Sequence, residues 1–399
     1  MGSFPIQFWI VITSTFLGFV GIGAIVPVLG PHVKHDLGQS DFMVGVAIGI
    51  FSIVALISRL IAGPVSDKKG RRVGLTAGLL CCAGAGGLYL LPFGMVSILS
   101  ARVLQGLGEA FLFVSAAAWA VELAPSNRRS QSLGYLGAAV WGGLSAGPAI
   151  GSFLGSFFNA ALLLTISPLP AIWVIRRVPD PHSLGHGPRK RGRMIPKAAL
   201  LPGFVLGFVN MHYPAMSGFL VLHLASRGPT AGGKAFSAYA TVILTSRFFL
   251  GGLPDRVGPR YTLYAGLVLM CIGLGLLSTA PPVWLAVIAS GIVGLGFSLP
   301  WPSIASTVLN RAIESERASS VGLLTACVDL FVGFASVMDG AVAKSFGYPP
   351  LYWMAAGSVL VAACLGWMVA PAQSVSSGHA PGEIADESEA FVGAGEMPE

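Results

Sequence analysis

The 399 residues are 54% hydrophobic and only 10% charged, where a soluble domain carries about 25% charged residues, so a water-soluble globular chain is excluded. Apolar runs of about 20 residues recur almost throughout, without the period-2 alternation of a barrel, which leaves a polytopic helical membrane protein. The net charge of +7 is read as a topology signal and not as a nucleic-acid footprint.

Twelve spans are predicted, at roughly 8–29, 42–62, 73–93, 97–121, 130–155, 159–176, 199–224, 235–252, 261–280, 283–308, 318–343 and 350–370. Of the 24 Lys and Arg, only Lys34, Arg227, Lys234 and Lys344 fall in the loops of one side. Arg59, Arg102 and Arg247 lie in or at the ends of spans, and all the others crowd the opposite loops. By the positive-inside rule the rich side is cytoplasmic, with both termini on it, and an odd span count would scramble the partition. The expected location is the cell (cytoplasmic) membrane. Span 1 has no basic n-region and is too long for a signal segment, so it is expected to remain as a span. Its Thr13 and Thr15 are candidate cavity residues.

Between spans 2 and 3 the chain reads Ser58-Arg59-Leu60-Ile61-Ala62-Gly63-Pro64-Val65-Ser66-Asp67-Lys68-Lys69-Gly70-Arg71-Arg72. Moved by 188 residues without a gap, Ser58, Arg59, Gly63, Asp67, Gly70 and Arg72 fall on Ser246, Arg247, Gly251, Asp255, Gly258 and Arg260. The same offset lays Gly106-Leu107-Gly108 on Gly294-Leu295-Gly296. The chain is therefore a duplicated six-span unit, with expected bundles at 1–175 and 198–370. A basic linker, 176–197, joins them, and an acidic tail, 371–399, is expected to be solvated and disordered. In each loop the first Gly lets helix ends approach, the second permits a tight reversal, and Asp67 can meet a helix N-terminus or pair with Arg. Such a contact between halves would gate the cytoplasmic side; the plainer reading is that the basic residues only set topology.

The motif Gly63-x-x-x-Asp67-x-x-Gly70-Arg71-Arg72 resembles the loop 2–3 signature of the major facilitator superfamily, with Gly251 to Arg260 as its degenerate second copy. The resemblance implies a twelve-helix, all-α membrane fold of two pseudo-symmetric bundles that moves a solute by alternating access.

Span 4 places Arg102, Gln105, Gly106 and Glu109 on one helix face. Arg102 and Glu109 are about 10 Å apart along the axis, too far to pair directly. Arg102-x-x-x-Gly106-x-Gly108 resembles the family's span-4 signature, which implies a proton-transfer role for Arg102; the plain reading is an Arg that snorkels to the interface. Glu109, in a low-dielectric cavity, is a candidate proton carrier. Span 5 carries Gly134, Gly143, Gly147, Pro148 and Gly151, which resembles the antiporter-branch signature except that Ser152 stands where its last Gly belongs. Glycines spaced by four admit a neighbouring helix closely.

Span 7 holds Asn210-Met211-His212-Tyr213-Pro214, where Pro214 should break the helix beside a cavity. Asn210 and Tyr213 are ligand candidates, and His212 is a reserve proton carrier or a packed, satisfied ring. Further cavity candidates are Trp119, Trp141, Tyr239 and Trp301, which can equally belong to an interfacial belt. Span 11 aligns Thr325, Asp329, Gly333, Ser336 and Gly340 on one face. Asp329 is a second proton or cation site, or else a structural hydrogen-bond acceptor; Asp339, near the outer end, is expected to be solvated.

The run Gly228 to Ala235 is one residue short of a phosphate loop and lacks its Ser/Thr, so ATP hydrolysis is not expected. His32 with His35 and His182 with His186 lack the companions of a metal site. The five cysteines are read as small apolar residues. Taken together, the chain is read as a proton-coupled exporter of a small hydrophobic or amphipathic compound, resembling the drug:proton antiporter branch. It is expected to be a monomer in the lipid bilayer, with protons and a small-molecule substrate as partners and no nucleic acid, cofactor, metal or catalytic residues. The alternatives are a proton symporter importing a sugar or metabolite, and a non-transporting sensor or assembly factor on the same scaffold.

Overall fold

Helices fill every apolar run, and there is no strand among the described residues. The structure is a computed structural model that describes residues 3–125, 128–180, 196–228, 230–250, 252–312 and 316–369. The spans are Ile6–Asp36, Asp41–Lys69, Arg71–Tyr89, Met95–Leu123, Arg129–Leu154 and Phe157–Ile175, then Lys197–Arg227, Ala231–Leu250, Pro259–Ser278, Val283–Ser298 continued by Pro300–Arg311, Arg317–Phe346 and Pro349–Val369. They are numbered spans 1 to 12 in that order. Nine of the described segments are long and apolar enough to cross a bilayer; spans 3, 5 and 8, diluted by Gly, Ser and Thr, fall outside that set. Most of linker 176–197, including His182 and His186, all of tail 371–399, and Gly251 lie outside the described residues.

Several helices outrun the apolar layer. Span 2 has 29 residues, about 43 Å of helix against about 30 Å of hydrocarbon, so its Asp67 end stands clear of the lipid core. Gly70 and Gly258 then reverse the chain at φ +103° and +101°, a region open to glycine and strained for other residues. A side chain on Gly63 would meet nothing within 4 Å among the described residues, so the close approach expected there is not made to any of them.

Span 7 breaks as Pro214 requires: its α-helix ends at Asn210, and a π turn occupies Ala215–Phe219. Span 1 has a matching irregularity that was not foreseen, with α-helices Ile6–Ala24 and Val26–Pro31 followed by a π turn at His32–Asp36. These irregular ends bring the two repeats together. A Cβ on Gly30 would collide with the carbonyl of Gly218, its counterpart 188 residues on.

The six-span bundles meet chiefly through span 2 against span 11 and span 5 against span 8. In the first seam Gly45 and Gly49 sit against Gly333, Ser336 and Gly340, the stripe expected on span 11. At its far end Asp41 accepts hydrogen bonds from Lys34 at 2.7 Å and, across the halves, from the Tyr348 hydroxyl at 3.0 Å. Polar ties and backbone contact thus hold the halves together on the side away from the Asp67 loop.

Within the first bundle, Gly143, Gly147 and Gly151 of span 5 pack on span 1 between Phe16 and Ala24. Gly134, at the start of the same motif, would meet nothing within 4 Å among the described residues. Gly151→Val would drive two methyls into the Ala24 backbone and is expected to lower stability by about 1–3 kcal/mol or more. Gly134→Val should leave the melting transition in detergent close to that of the parent. Equal melting losses for both would mean that the motif acts through something other than this packing.

Candidate functional site

Arg59 stands on the inner face of span 2, and its guanidinium joins three helices. Nη2 donates to both carboxylate oxygens of Glu109 on span 4, each at 3.0 Å, and Nε donates to Oδ2 of Asp329 on span 11 at 2.8 Å. The two carboxylates singled out on separate halves are therefore held by one cation, and one of the bonds crosses between the halves. The three side chains are 11%, 9% and 15% exposed, so the cluster is secluded without being sealed. The Phe113 ring lies 5.0 Å from the guanidinium, and Nη1 has no acceptor among the described residues. With all three groups ionised the cluster carries a net charge of −1, which is costly inside a bilayer and is relieved by a single proton or a cation.

Arg102 occupies a different place. It is buried and does not snorkel: Nε and Nη2 donate to the Ala47 and Ile48 carbonyls at 2.7 and 3.1 Å, and Nη1 donates to Gln105 at 3.0 Å. Gln105 also accepts from the Tyr89 hydroxyl at 2.8 Å. The predicted face of span 4 does turn to span 2, with Glu109 and Arg102 in separate clusters on it. Arg102 and Gln105 tie first-bundle helices together and do not line the opening between the halves.

That opening is narrow and lies between spans 5, 7, 8 and 10. Trp141, Tyr213, Tyr239 and Phe297 line it, and Trp301 packs on Trp141 with ring centres 5.5 Å apart. His212 is fully buried beside it, with Nδ1 2.7 Å from the Val209 carbonyl and Nε2 3.0 Å from the Tyr239 hydroxyl. A single ring proton, on Nδ1, satisfies both contacts. Arg247 approaches from span 8, with its guanidinium 4.5 Å from the Trp141 ring centre.

Other expected cavity residues sit elsewhere. Trp119 is wholly enclosed in the hydrophobic core. Thr15 is buried and donates to the Val11 carbonyl, while Thr13 is exposed and does not line the opening. Asn210 and Thr325 likewise bond to backbone carbonyls of their own helices. Asp339, expected to be solvated, is 3% exposed, and its Oδ2 has no partner among the described residues. Span 11 runs on to Phe346 and carries Asp339 inside the packed layer, where a span ending near 343 would have left it at the rim.

The Asp67 loop is tied into its own bundle. Arg71 bridges Asp67 at 2.5 Å and Glu122 at 2.9 Å. Asp180, beyond span 6, accepts from the backbone amides of Arg71 and Arg72, capping the positive end of span 3. Asp180 thus meets a helix terminus, and Asp67 pairs with Arg71 as one of its two expected readings has it. Of the second loop, Asp255 lies in the short helix Leu253–Val257, with its side chain outside the described residues.

The sequence profile of the Major Facilitator Superfamily matches residues 11–228 and 198–391. An MFS-type transporter of Salmonella typhimurium is 28% identical over 368 residues, covering 88% of this chain and 93% of its own. One of Burkholderia pseudomallei is 24% identical over 378 residues, covering 92% and 93%. Among solved structures, a D-xylose-proton symporter superposes with a TM-score of 0.76 at 15% identity, over 92% of this chain and 98% of that one. The human organic anion transporter MFSD10 does so at 0.71 and 15%, over 91% and 100%. The repeat, the twelve spans and the paired bundles now agree with profile and relatives along almost the whole length, and the chain belongs to the Major Facilitator Superfamily, as a multi-pass membrane transporter.

Proposed function

We propose that the chain is a proton-coupled exporter of a small hydrophobic or amphipathic compound, working by antiport and alternating access with both termini in the cytoplasm. The observation that carries this reading is the cross-half bridge from Arg59 to Glu109 and Asp329. When both carboxylates are ionised, Arg59 holds span 11 against span 2 by charge-assisted hydrogen bonds. A proton on Asp329 turns its acceptor pair into a neutral acid, weakens the bond between halves, and frees the bundles to rock. Substrate and proton then compete for one conformational equilibrium, which is what exchange requires. The polar and glycine contacts at the Asp41 end form the outer closure, and the loop of Asp67 and Arg71 with the loop of Asp255 forms the cytoplasmic one.

Inverted membrane vesicles energised to acidify the lumen test this with a pH dye and a panel of lipophilic cations, neutral drugs, aromatic acids and sugars. The expected result is alkalinisation of the lumen on addition of a transported compound, absent with Asp329→Asn. Substrate-driven proton movement that persists in both Asp329→Asn and Glu109→Gln would overturn the coupling site. Alkalinisation with none of the compounds, or proton movement driven only by a sugar and in the opposite sense, would replace export with another mode.

A further inference from the structure

The internal repeat identifies a second socket. Arg59 is surrounded by Glu109 and Phe113 from span 4 and by Asp329 from span 11. Arg59 moved by 188 residues is Arg247; Glu109 and Phe113 moved forward are Phe297 and Trp301, and Asp329 moved back is Trp141. The register is ungapped on both helices. Gly106 and Gly108 fall on Gly294 and Gly296, and Arg129, Ser132, Gly134 and Leu136 fall on Arg317, Ser320, Gly322 and Leu324.

The structure places one of these positions, the Trp141 ring, against Arg247 and packs the other two on that ring. The guanidinium lies 4.5 Å from Trp141 of the opposite half, and Trp141 lies 5.5 Å from Trp301 and 6.2 Å from Phe297. This is the same socket with both carboxylates replaced by aromatic rings. Arg59 has three hydrogen bonds to two carboxylates; Arg247 keeps its charge, and its buried Nε and Nη2 have no acceptor among the described residues. A secluded guanidinium without a counter-ion is costly, and it is retained at ligand sites where an arriving anion completes it. Ile243, one helical turn from Arg247, lines the opening together with Trp141, Ser145, Tyr213, Tyr239 and Phe297. The place for an anionic head thus adjoins apolar, ring-lined walls for a body.

We propose that the transported compound is an organic carboxylate with an aromatic or other flat apolar body, its carboxylate seated on Nε and Nη2 of Arg247 and its body against Trp141, Phe297 and Tyr239 once the narrow opening there widens as the bundles rock. The proposal rests on the transport reading and narrows its substrate class to an amphipathic anion. It also divides the work between the repeats: one socket keeps its own carboxylates and titrates, and the other leaves the carboxylate to the substrate. A guanidinium presents a planar fork that a carboxylate matches with two parallel bonds, and neutral amides and ammonium ions do not.

Calorimetric titration of the full chain in lipid nanodiscs provides the test, with 2-naphthoate, 2-naphthamide and 2-naphthylmethylammonium as probes. Naphthoate is expected to bind about 10- to 100-fold more tightly than the other two, the factor set by a charge-assisted pair in a secluded site. Arg247→Gln should erase that preference, and Arg247→Lys should retain part of it. Should Arg247→Gln fail to fold, Phe297→Glu installs the carboxylate that the other repeat carries, and should expel naphthoate by pairing with Arg247. Absence of naphthoate binding, equal binding of the ammonium probe, or undiminished naphthoate binding in a folded Arg247→Gln or Phe297→Glu protein would overturn the proposal. Binding needs neither a gradient nor turnover, so the two readings fail separately. Naphthoate binding without proton movement would sink the coupling reading alone, and proton movement driven by cations without naphthoate binding would sink the anion site alone.

Discussion

Arg59→Gln is expected to abolish transport at every pH and to lower stability by about 3–5 kcal/mol, the usual cost of stranding one side of a buried ion pair. Here it strands two: Glu109 and Asp329 each lose their charged donor at once. Arg59→Lys keeps the charge, but an ammonium is a single point that cannot serve Glu109 with one edge and Asp329 with the other. It is expected to melt between wild type and Arg59→Gln and to transport poorly. The decisive comparison is the triple variant Arg59→Gln, Glu109→Gln, Asp329→Asn, which removes all three charges together. Its melting temperature should recover most of the loss, because neutral amides can hydrogen-bond to one another in the same space, while proton coupling stays absent. Thermal unfolding in detergent and vesicle transport on the same four proteins would settle the matter. Arg59→Gln protein that melts and transports like wild type would show that the bridge is incidental.

Much of this was legible before any coordinates. The spans follow from composition and run length, and the 188-residue offset makes the two-bundle plan a property of the sequence itself. Glu109 and Asp329 stood out because ionisable residues inside apolar runs are costly to keep. What binds them did not stand out. Arg59 is legible only as a repeat position in or at the end of a span, with no partner assigned to it. Its link to Asp329 spans 270 residues and depends on how two bundles dock, which no local pattern encodes. Carrying Glu109 and Asp329 across the repeat shows where the carboxylates are absent and Phe297 and Trp141 stand instead. Asp339 and Trp119 were misplaced for a simpler reason. Asp339 lies deeper than expected because span 11 runs on to Phe346, and Trp119 lies on the face of span 4 that packs into the core, which position along the span alone does not give.

The second large effect separates the coupling of protons from the movement of substrate. Asp329→Asn, and independently Glu109→Gln, should stop uphill transport and leave downhill exchange intact. Either substitution leaves Arg59 with one carboxylate, so the cluster is charge-balanced without a proton. Arg59 keeps one charged partner in each case, Glu109 in Asp329→Asn and Asp329 in Glu109→Gln, and preloaded vesicles should still exchange labelled for unlabelled substrate at near the wild-type rate. The gradient, however, has no site through which to act. One coupled proton moving down one pH unit contributes about 1.4 kcal/mol, enough to sustain about a tenfold concentration ratio of substrate. Wild type should approach that ratio and each single variant should settle near unity. The double variant Glu109→Gln, Asp329→Asn differs in kind, because it leaves Arg59 as an unbalanced cation in the same secluded place. It is expected to lose exchange as well as accumulation, and to regain exchange when Arg59→Gln is added. Single variants that still build the tenfold ratio would place the coupling proton elsewhere in the chain. Single variants that lose exchange along with accumulation would make the carboxylates structural, since a group whose only task is to carry the proton can be neutralised without stopping the carrier.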